Sequence, residues 1–254
     1  MIIGSMTGRE LFEIFKKDKP MLEKFAIEKA KKLIRELRKG MGRYTTQCYD
    51  FKTKDATEYK VCVFVDRGNI RQFYFDLFIY CKETNDYVCA TSLLDEENSA
   101  EQFSYTPHFL RRYAERALGI ENMPINRVLA HIEREVAYTV LIYKNDTSKV
   151  VATSMGLYLQ KIDYKRGINI CKTFVSVYML RSSQIKAYMV VADLIKEYSE
   201  RYTKVQRNDN VQVDFAKDCL ARGITEKDLI EAYGEYFKNK KIKERGSYGE
   251  NDKK

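Results

Sequence analysis

The sequence predicts an α+β protein in which antiparallel sheet is packed by helices and the C-terminal third is helical. Apolar residues recur at helical spacing near the N-terminus and over the last third of the chain. Two stretches between them are rich in β-branched and aromatic residues and are broken by turn residues. The 254 residues are 44% hydrophobic, which allows one large domain or two smaller ones.

Two helices are predicted at the N-terminus. Thr7 and Glu10 have the spacing of a capping box, which opens a helix that continues to about Lys17. Pro20 starts a second helix, and Gly40 ends it. Apolar residues follow helical spacing along the second helix, and basic residues fill the other positions: Lys29, Lys32, Arg35 and Lys39.

Strand-like runs and helices then alternate along the chain. An antiparallel meander of three or four strands is predicted over residues 44–52, 59–66, 70–81 and 86–93. An acidic loop at 95–104 precedes two helices, which begin at Thr106 and Pro124. The remaining predicted elements are strands at 138–143, 149–160 and 168–180 and helices at 182–202, 211–222 and 225–238.

This order suggests how the chain is organised. Residues 1–98 contain the N-terminal helices and the meander, and residues 99–240 contain a unit of two helices and three strands with the C-terminal helices. The two parts form separate domains or a single one. Residues 241–254 are expected to be a disordered tail, since they are rich in Lys, Gly, Glu and Asn.

The net charge of +9 is carried by the two ends of the chain. Residues 1–43 carry +6, residues 238–254 carry +4, and the part between them carries −1. A basic chain favours an anionic partner such as RNA or another nucleic acid. A solvated helix face and a charged tail explain the charge equally well, and a protein partner is an alternative.

The cysteines and the apolar runs indicate the compartment. The six cysteines form no C-x-x-C pair, and four lie in strand-like runs, so we interpret them as small buried side chains. The first residues are too short for a signal peptide, and no apolar run approaches the roughly 18 residues of a membrane span. We expect a cytoplasmic protein with no membrane partner.

One helix carries residues that could perform chemistry. His108, Arg112 and Arg116 share one sector of the helix that begins at Thr106, while apolar residues lie opposite. His108 lies in the first turn, where the helix dipole disfavours imidazolium, so we expect a neutral ring. A neutral imidazole beside guanidinium groups could act as a general base with phosphate clamps. Any amphipathic surface helix shows the same pattern. His131, in the next helix, is interpreted as a surface or satisfied core histidine.

A second segment, residues 172–178, is predicted to be a strand in which alternate residues share a face. One face would carry Lys172, Phe174, Ser176 and Tyr178, and the other would carry Thr173, Val175 and Val177. Its hydroxyl groups could approach a phosphate. Hydroxyls at such positions are also common in ordinary strands.

Together these segments, within about residues 104–180, resemble the barnase–EndoU–colicin–RelE group of metal-independent ribonuclease toxins. The resemblance rests on the His-x-x-x-Arg-x-x-x-Arg helix and on the strand Lys-Thr-Phe-Val-Ser-Val-Tyr. It implies six candidate catalytic residues: His108, Arg112, Arg116, Thr173, Ser176 and Tyr178. RNA is implied as the substrate, because the nucleophile is the neighbouring 2′-hydroxyl.

Several signatures are absent from the sequence. There is no phosphate-binding glycine loop, no G-x-S-x-G elbow and no H-E-x-x-H motif, so we expect no nucleotide cofactor and no metal. Two hypotheses follow. The first is a toxin-like ribonuclease that acts through the His/Arg helix face. The second is a non-catalytic accessory protein, of phage or mobile-element type, whose basic ends contact nucleic acid or protein.

Overall fold

The computed structural model has an α+β fold, and in the part of the chain that it describes up to residue 180 three α-helices pack on one mixed sheet. Helix α1 is Gly8–Lys39, α2 is Pro107–Ala117 and α3 is Ile125–Glu135. The structure describes residues 2, 4–40, 42, 44–67, 73–89, 102–135, 140–144, 148–153 and 155–180, with isolated positions between 192 and 222. The side chains of 102, 134, 135, 140–144, 148–150 and 152 are outside this description.

Helix α1 begins at the predicted capping box. The Thr7 side chain accepts a hydrogen bond from the Glu10 amide, and the Glu10 carboxylate accepts one from the Thr7 amide. The prediction of two helices is wrong, because Pro20 lies inside a single helix of 32 residues. Its apolar face is buried against the sheet, and this packing outweighs the hydrogen bond that Pro20 cannot donate. The buried apolar residues of α1 are Leu11, Phe15, Leu22, Ala26, Ala30, Leu33 and Leu37.

Nine strands form one continuous sheet in the described part of the chain. Their bounds are β1 Tyr44–Lys52, β2 Glu58–Asp66, β3 Phe73–Cys81, β4 Asp86–Cys89, β5 Gln102–Tyr105, β6 Val140–Lys144, β7 Ser148–Thr153, β8 Gly156–Asp163 and β9 Ile168–Ser176. The order across the sheet is β1-β2-β3-β4-β5-β9-β8-β7-β6. The prediction of a purely antiparallel sheet is corrected at one place, since β5 and β9 pair in parallel. This pairing joins two antiparallel meanders.

The helices cover opposite faces of the sheet. Val61 and Val63 of β2 pack under α1, whereas Cys62 between them belongs to the core beneath α2 and α3. Helix α2 lies along β9, and α3 lies over β1 and β2. Alternate side chains of one strand therefore pack into two different cores, one on each face of the sheet, as expected for a sheet covered on two sides.

The predicted run 149–160 contains two strands and the turn between them. In this turn the Thr153 hydroxyl donates to the Gly156 carbonyl, 3.1 Å away. Gly156 has a backbone φ of +148°, and a Cβ there would lie 2.2 Å from the Val175 carbonyl oxygen. The prediction of a single strand over 149–160 is wrong, because the chain reverses in the middle of this run and the reversal depends on one glycine.

The cysteine interpretation is corrected at one pair. Cys48 of β1 and Cys62 of β2 are register partners and form a disulfide. Cys81, Cys89 and Cys171 are buried thiols, as expected. Cys219 lies outside the described residues.

Strand β5 begins at Gln102, inside the region predicted to be a loop, and one sheet contains strands from both 1–98 and 99–240. The domain division stays a prediction. The predicted C-terminal helices and the tail at 241–254 lie almost entirely outside the described residues, where only scattered positions such as 192–194 are helical. A helical C-terminal third is therefore not supported. Within the described residues, no helix has the length and apolarity needed to cross a membrane.

Candidate functional site

The predicted catalytic helix is joined directly to the predicted catalytic strand. Thr106 is the N-cap of α2, and its hydroxyl oxygen accepts from the Phe109 amide at 3.2 Å. The same hydroxyl donates to the Cys171 carbonyl of β9 at 2.9 Å. At the other end of α2, the Arg116 guanidinium donates to the Phe174 carbonyl at 2.6 Å. The structure therefore brings α2 and β9 together.

The arginines of this helix are already engaged in contacts within the protein. Arg116 is half-buried and holds the backbone of β9 through the contact just described. Arg112 donates to the Glu115 carboxylate at 2.9 Å, and Arg111 lies 3.7 Å from the same carboxyl group. His108 is exposed, and its Nδ1 lies 3.4 Å from Nη2 of Arg111. Arg116 thus has a structural role, while His108 is open to solvent.

The three candidate hydroxyl groups do not lie on one accessible face, and the predicted alternation, which burial follows from Thr173 to Ser176, is interrupted at Lys172. A register shift in the β8–β9 pairing at Lys172 puts Cys171 and Phe174 in the same core. Ser176 is buried at the end of β9. Thr173 is half-buried, and Tyr178 is 93% exposed in a short 3₁₀ helix, Val177–Met179. No hydrogen bond within the described residues joins His108 to any of these three hydroxyls.

A polar network lies beneath α2 and α3. The Tyr74 hydroxyl donates to Asp76 at 2.6 Å, and burial together with the carboxylates of Asp76 and Glu133 raises the pKa of Tyr74. Burial raises the pKa of the Cys171 thiol to about 12, although Gln160 donates to its sulfur at 3.1 Å. Cys171 is therefore a neutral thiol at pH 7 and not a thiolate nucleophile.

His131 belongs to the packing between α2 and α3. It is half-buried, and its Nδ1 lies 2.9 Å from the Tyr113 hydroxyl. This fits the interpretation of a satisfied histidine. Across the described residues, no group of three or more His, Cys, Asp and Glu side chains has the arrangement of a metal site.

A cleft of about 450 Å³ opens where the β1–β2 hairpin meets the β3–β4 turn, and we call it the tyrosine cleft. Tyr80 and Tyr87 lie side by side in it, with ring centroids 5.1 Å apart. Burial is the main cause that raises the pKa of Tyr87 to about 12, so this phenol is neutral at pH 7. The cleft is lined by Asp50, Phe51, Lys52, Glu58, Tyr59, Lys60, Tyr80 and Tyr87.

Charged side chains surround the two tyrosines. Lys60 pairs with Asp50, and its ammonium lies 5.9 Å from the Tyr87 ring centroid. Desolvation acts to raise the pKa of Asp50, but hydrogen bonds from Lys60 and Asn126 outweigh it and lower that pKa. At the rim, hydrogen bonds from Lys52 and Lys82 lower the pKa of Glu58. The cleft thus combines aromatic rings with lysine–carboxylate ion pairs, in which an anionic ligand could take the place of the carboxylate.

A row of basic side chains runs along α1 on the side opposite its buried face. Lys17, Lys24, Lys31 and Arg38 are seven residues apart, so each lies only about 20° around the helix from the one before it, and the row is about 31 Å long. Arg35 lies on the same side of the helix, four residues after Lys31. Among the described residues, the side chains of Lys24, Lys31 and Arg38 form no hydrogen bond or ion pair, and the acidic residues on this side of α1 are Glu10, Glu13 and Glu28. We call this set the basic stripe: Lys17, Lys24, Lys31, Arg35 and Arg38.

Part of these surfaces is predicted by the sequence. The basic residues predicted along the second N-terminal helix include Arg35, but no other member of the stripe. The seven-residue spacing of Lys17, Lys24, Lys31 and Arg38 was a usable signal. The tyrosine cleft was missed, since its residues come from four strands and share no spacing.

Searches with the chain against protein-family models, curated proteins and solved structures find no match. The resemblance to the ribonuclease group therefore stays a prediction.

Proposed function

We propose that the protein binds nucleic acid through the basic stripe of α1. The observation that carries this proposal is the position of the stripe directly opposite the buried face of a helix fixed to the sheet. Eleven Lys and Arg residues of α1 stand against six Asp and Glu residues. A long row of fixed cations suits the repeated charges of a phosphate backbone.

The row matches a polymer better than a single anion. Consecutive members of the stripe lie one or two helical turns apart, so they present charge along a line rather than around a pocket. Phosphate contacts of this kind give affinity without reading sequence. We therefore expect binding that depends on length and salt and has little base preference.

The test compares two charge-reversal variants with equal changes in net charge. Lys24→Glu with Lys31→Glu removes two stripe members. Lys161→Glu with Lys165→Glu reverses two exposed lysines of the β8–β9 hairpin. Affinity for labelled single-stranded and duplex oligonucleotides of RNA and DNA is measured by fluorescence anisotropy.

We expect the stripe variant to lose at least about tenfold in affinity, because each lost phosphate contact lowers binding severalfold at moderate salt. The hairpin variant should stay within about threefold of the wild type. Equal losses in both variants, or no binding by the wild type, would contradict the proposal.

A toxin-like, metal-independent ribonuclease is the second candidate. The observation that favours it is the exposed His108 on a helix that packs along β9. His108 would accept the 2′-hydroxyl proton as the 2′-oxygen attacks phosphorus, and the bond from phosphorus to the 5′-oxygen would break as a solvent water protonates that oxygen, leaving a 2′,3′-cyclic phosphate. Arg112 would stabilise the developing charge.

Cleavage of total RNA in EDTA by wild type and His108→Ala tests this second candidate. Loss of cleavage in the variant supports it, and equal cleavage by both proteins contradicts it. The basic stripe and α2 lie on opposite faces of the sheet, so the two tests are independent. A cytoplasmic location and a protein partner also stay predictions.

A further inference from the structure

We infer that the tyrosine cleft holds one nucleotide of a single strand whose backbone follows the basic stripe. This inference rests on the proposed function, because the stripe delivers the strand to the cleft. It adds the class of substrate, a nucleic acid with at least one unpaired base.

The stripe and the cleft are joined at the β1–β2 hairpin. Lys17, at one end of the stripe, lies 2.7 Å from the Asp55 carboxylate in the hairpin turn. Tyr59, which lines the cleft, donates to Asp18 of α1 at 2.8 Å. Phe51 also lines the cleft, and its ring centroid lies 4.8 Å from that of Phe25 of α1. Asp18 and Phe25 make these contacts from the sheet-facing side of α1, while Tyr80 and Tyr87 pack on the other face of the sheet, so a strand would pass from the stripe to the cleft around the hairpin turn.

The half-buried Tyr80 ring suits a nucleobase, whereas Tyr87 beside it is only 7% exposed and belongs to the core. The Tyr80 and Tyr87 rings are inclined by 31°, and Lys60 holds its ammonium near the Tyr87 ring. Nucleobases stack on tyrosine rings whatever their sequence, because every base has a flat π-face. The volume of about 450 Å³ lies within the range of small-ligand sites, about 300–1,000 Å³.

The rim of the cleft suits a phosphate. Lys52 and Lys82 are 58% and 57% exposed, and their ammonium groups lie 3.2 and 3.3 Å from the same Glu58 oxygen. Two cations sharing one carboxylate leave positive charge available to a second anion. A phosphate at the rim would thus accept hydrogen bonds from both lysines while its base lies on the Tyr80 ring.

A paired base cannot enter this site. Its faces are covered by its neighbours in the stack, and exposing them costs unstacking and unpairing. The cleft therefore predicts a preference for single strands over blunt duplexes of the same length. The stripe alone predicts no such preference.

The test uses the full chain with a labelled 12-nucleotide oligouridylate and a blunt RNA duplex of the same length. The variants are Tyr80→Ala and, at the exposed rim, Lys52→Gln with Lys82→Gln. The matched controls are Tyr164→Ala, at a tyrosine 65% exposed in the β8–β9 turn, and Lys161→Gln with Lys165→Gln. Circular dichroism melting checks that each variant is folded.

We expect Tyr80→Ala to weaken single-strand binding about tenfold, as loss of one stacked base does, and to leave duplex binding unchanged. The rim variant should weaken single-strand binding severalfold more than its lysine control. If both cleft variants bind the single strand as tightly as their controls do, the inference is overturned, even if the stripe variant loses binding. Absence of binding by wild type would overturn the proposed function as well.

Discussion

At the scale of single residues, Gly156 is the position most dependent on its small size. Its φ is +148°, and a Cβ at this position would lie 2.2 Å from the Val175 carbonyl oxygen, so other side chains are excluded. We expect Gly156→Ala to lower the free energy of unfolding by about 3 kcal/mol, from backbone strain and displacement of β9. Urea unfolding measures this change.

Gly167→Ala is the matched control. Gly167 has a φ of +66°, but no atom lies within 4 Å of its Cβ position. Its substitution should cost only about 1 kcal/mol, the price of the left-handed conformation. Equal losses of unfolding free energy at the two glycines would show that the close approach of β9 to Gly156 does not add to the cost of substitution.

Tyr59 carries a second prediction at the residue scale. Its hydroxyl donates to Asp18, which is 6% exposed on the sheet-facing side of α1. Tyr59→Phe should lower the free energy of unfolding by about 1–3 kcal/mol, because it removes a donor from a buried carboxyl group. Tyr164→Phe, at an exposed site, should change it by less than about 0.5 kcal/mol. A Tyr59→Phe protein as stable as wild type would contradict the importance of this bond.

At the scale of elements, the start of α2 depends on Thr106, which caps the helix and also ties it to β9. Thr106→Val keeps the shape of the side chain but removes both hydrogen bonds, so we expect a loss of about 2 kcal/mol. Thr106→Ser keeps the hydroxyl and should restore most of the stability. Thermal and urea unfolding compare the three proteins. Equal stability of the Val and Ser variants would rule out the hydroxyl as the cause.

Helix α1 shows how tertiary packing changes an element. Its capping box and its stop near Gly40 were predicted from local sequence, because a cap is a contact between residues three apart. Pro20 was interpreted as a helix start, which is its commonest helical position. Leu11 and Phe15 before it and Leu22 after it are buried in one core, so a single helix is favoured.

At the scale of the whole molecule, the concentration of basic side chains in the stripe of α1 predicts how binding depends on salt. Each phosphate contact on a single strand contributes about −0.7 to the slope of log affinity against log salt concentration, so five stripe contacts give about −3.5. Lys24→Glu with Lys31→Glu should reduce this slope by about 1.4 in magnitude. Anisotropy titrations over a series of salt concentrations measure it.

The β8–β9 variant, Lys161→Glu with Lys165→Glu, is the control for the slope. It should keep the wild-type salt dependence, because those lysines lie outside the stripe. An unchanged slope in the stripe variant would place the phosphate contacts elsewhere on the molecule.

The sequence by itself determined the α+β class, most of the strand segments, helices α2 and α3 and the basic character of α1. These depend on periodicity and on caps, which involve residues close together in the chain. Only the tertiary structure decided the parallel pairing of β5 with β9 and the use of Arg116 as a tie to the Phe174 carbonyl. It also assembled Lys60, Tyr80 and Tyr87 into one cleft. Such contacts join residues far apart in the chain, and local spacing carries no record of which strands become neighbours.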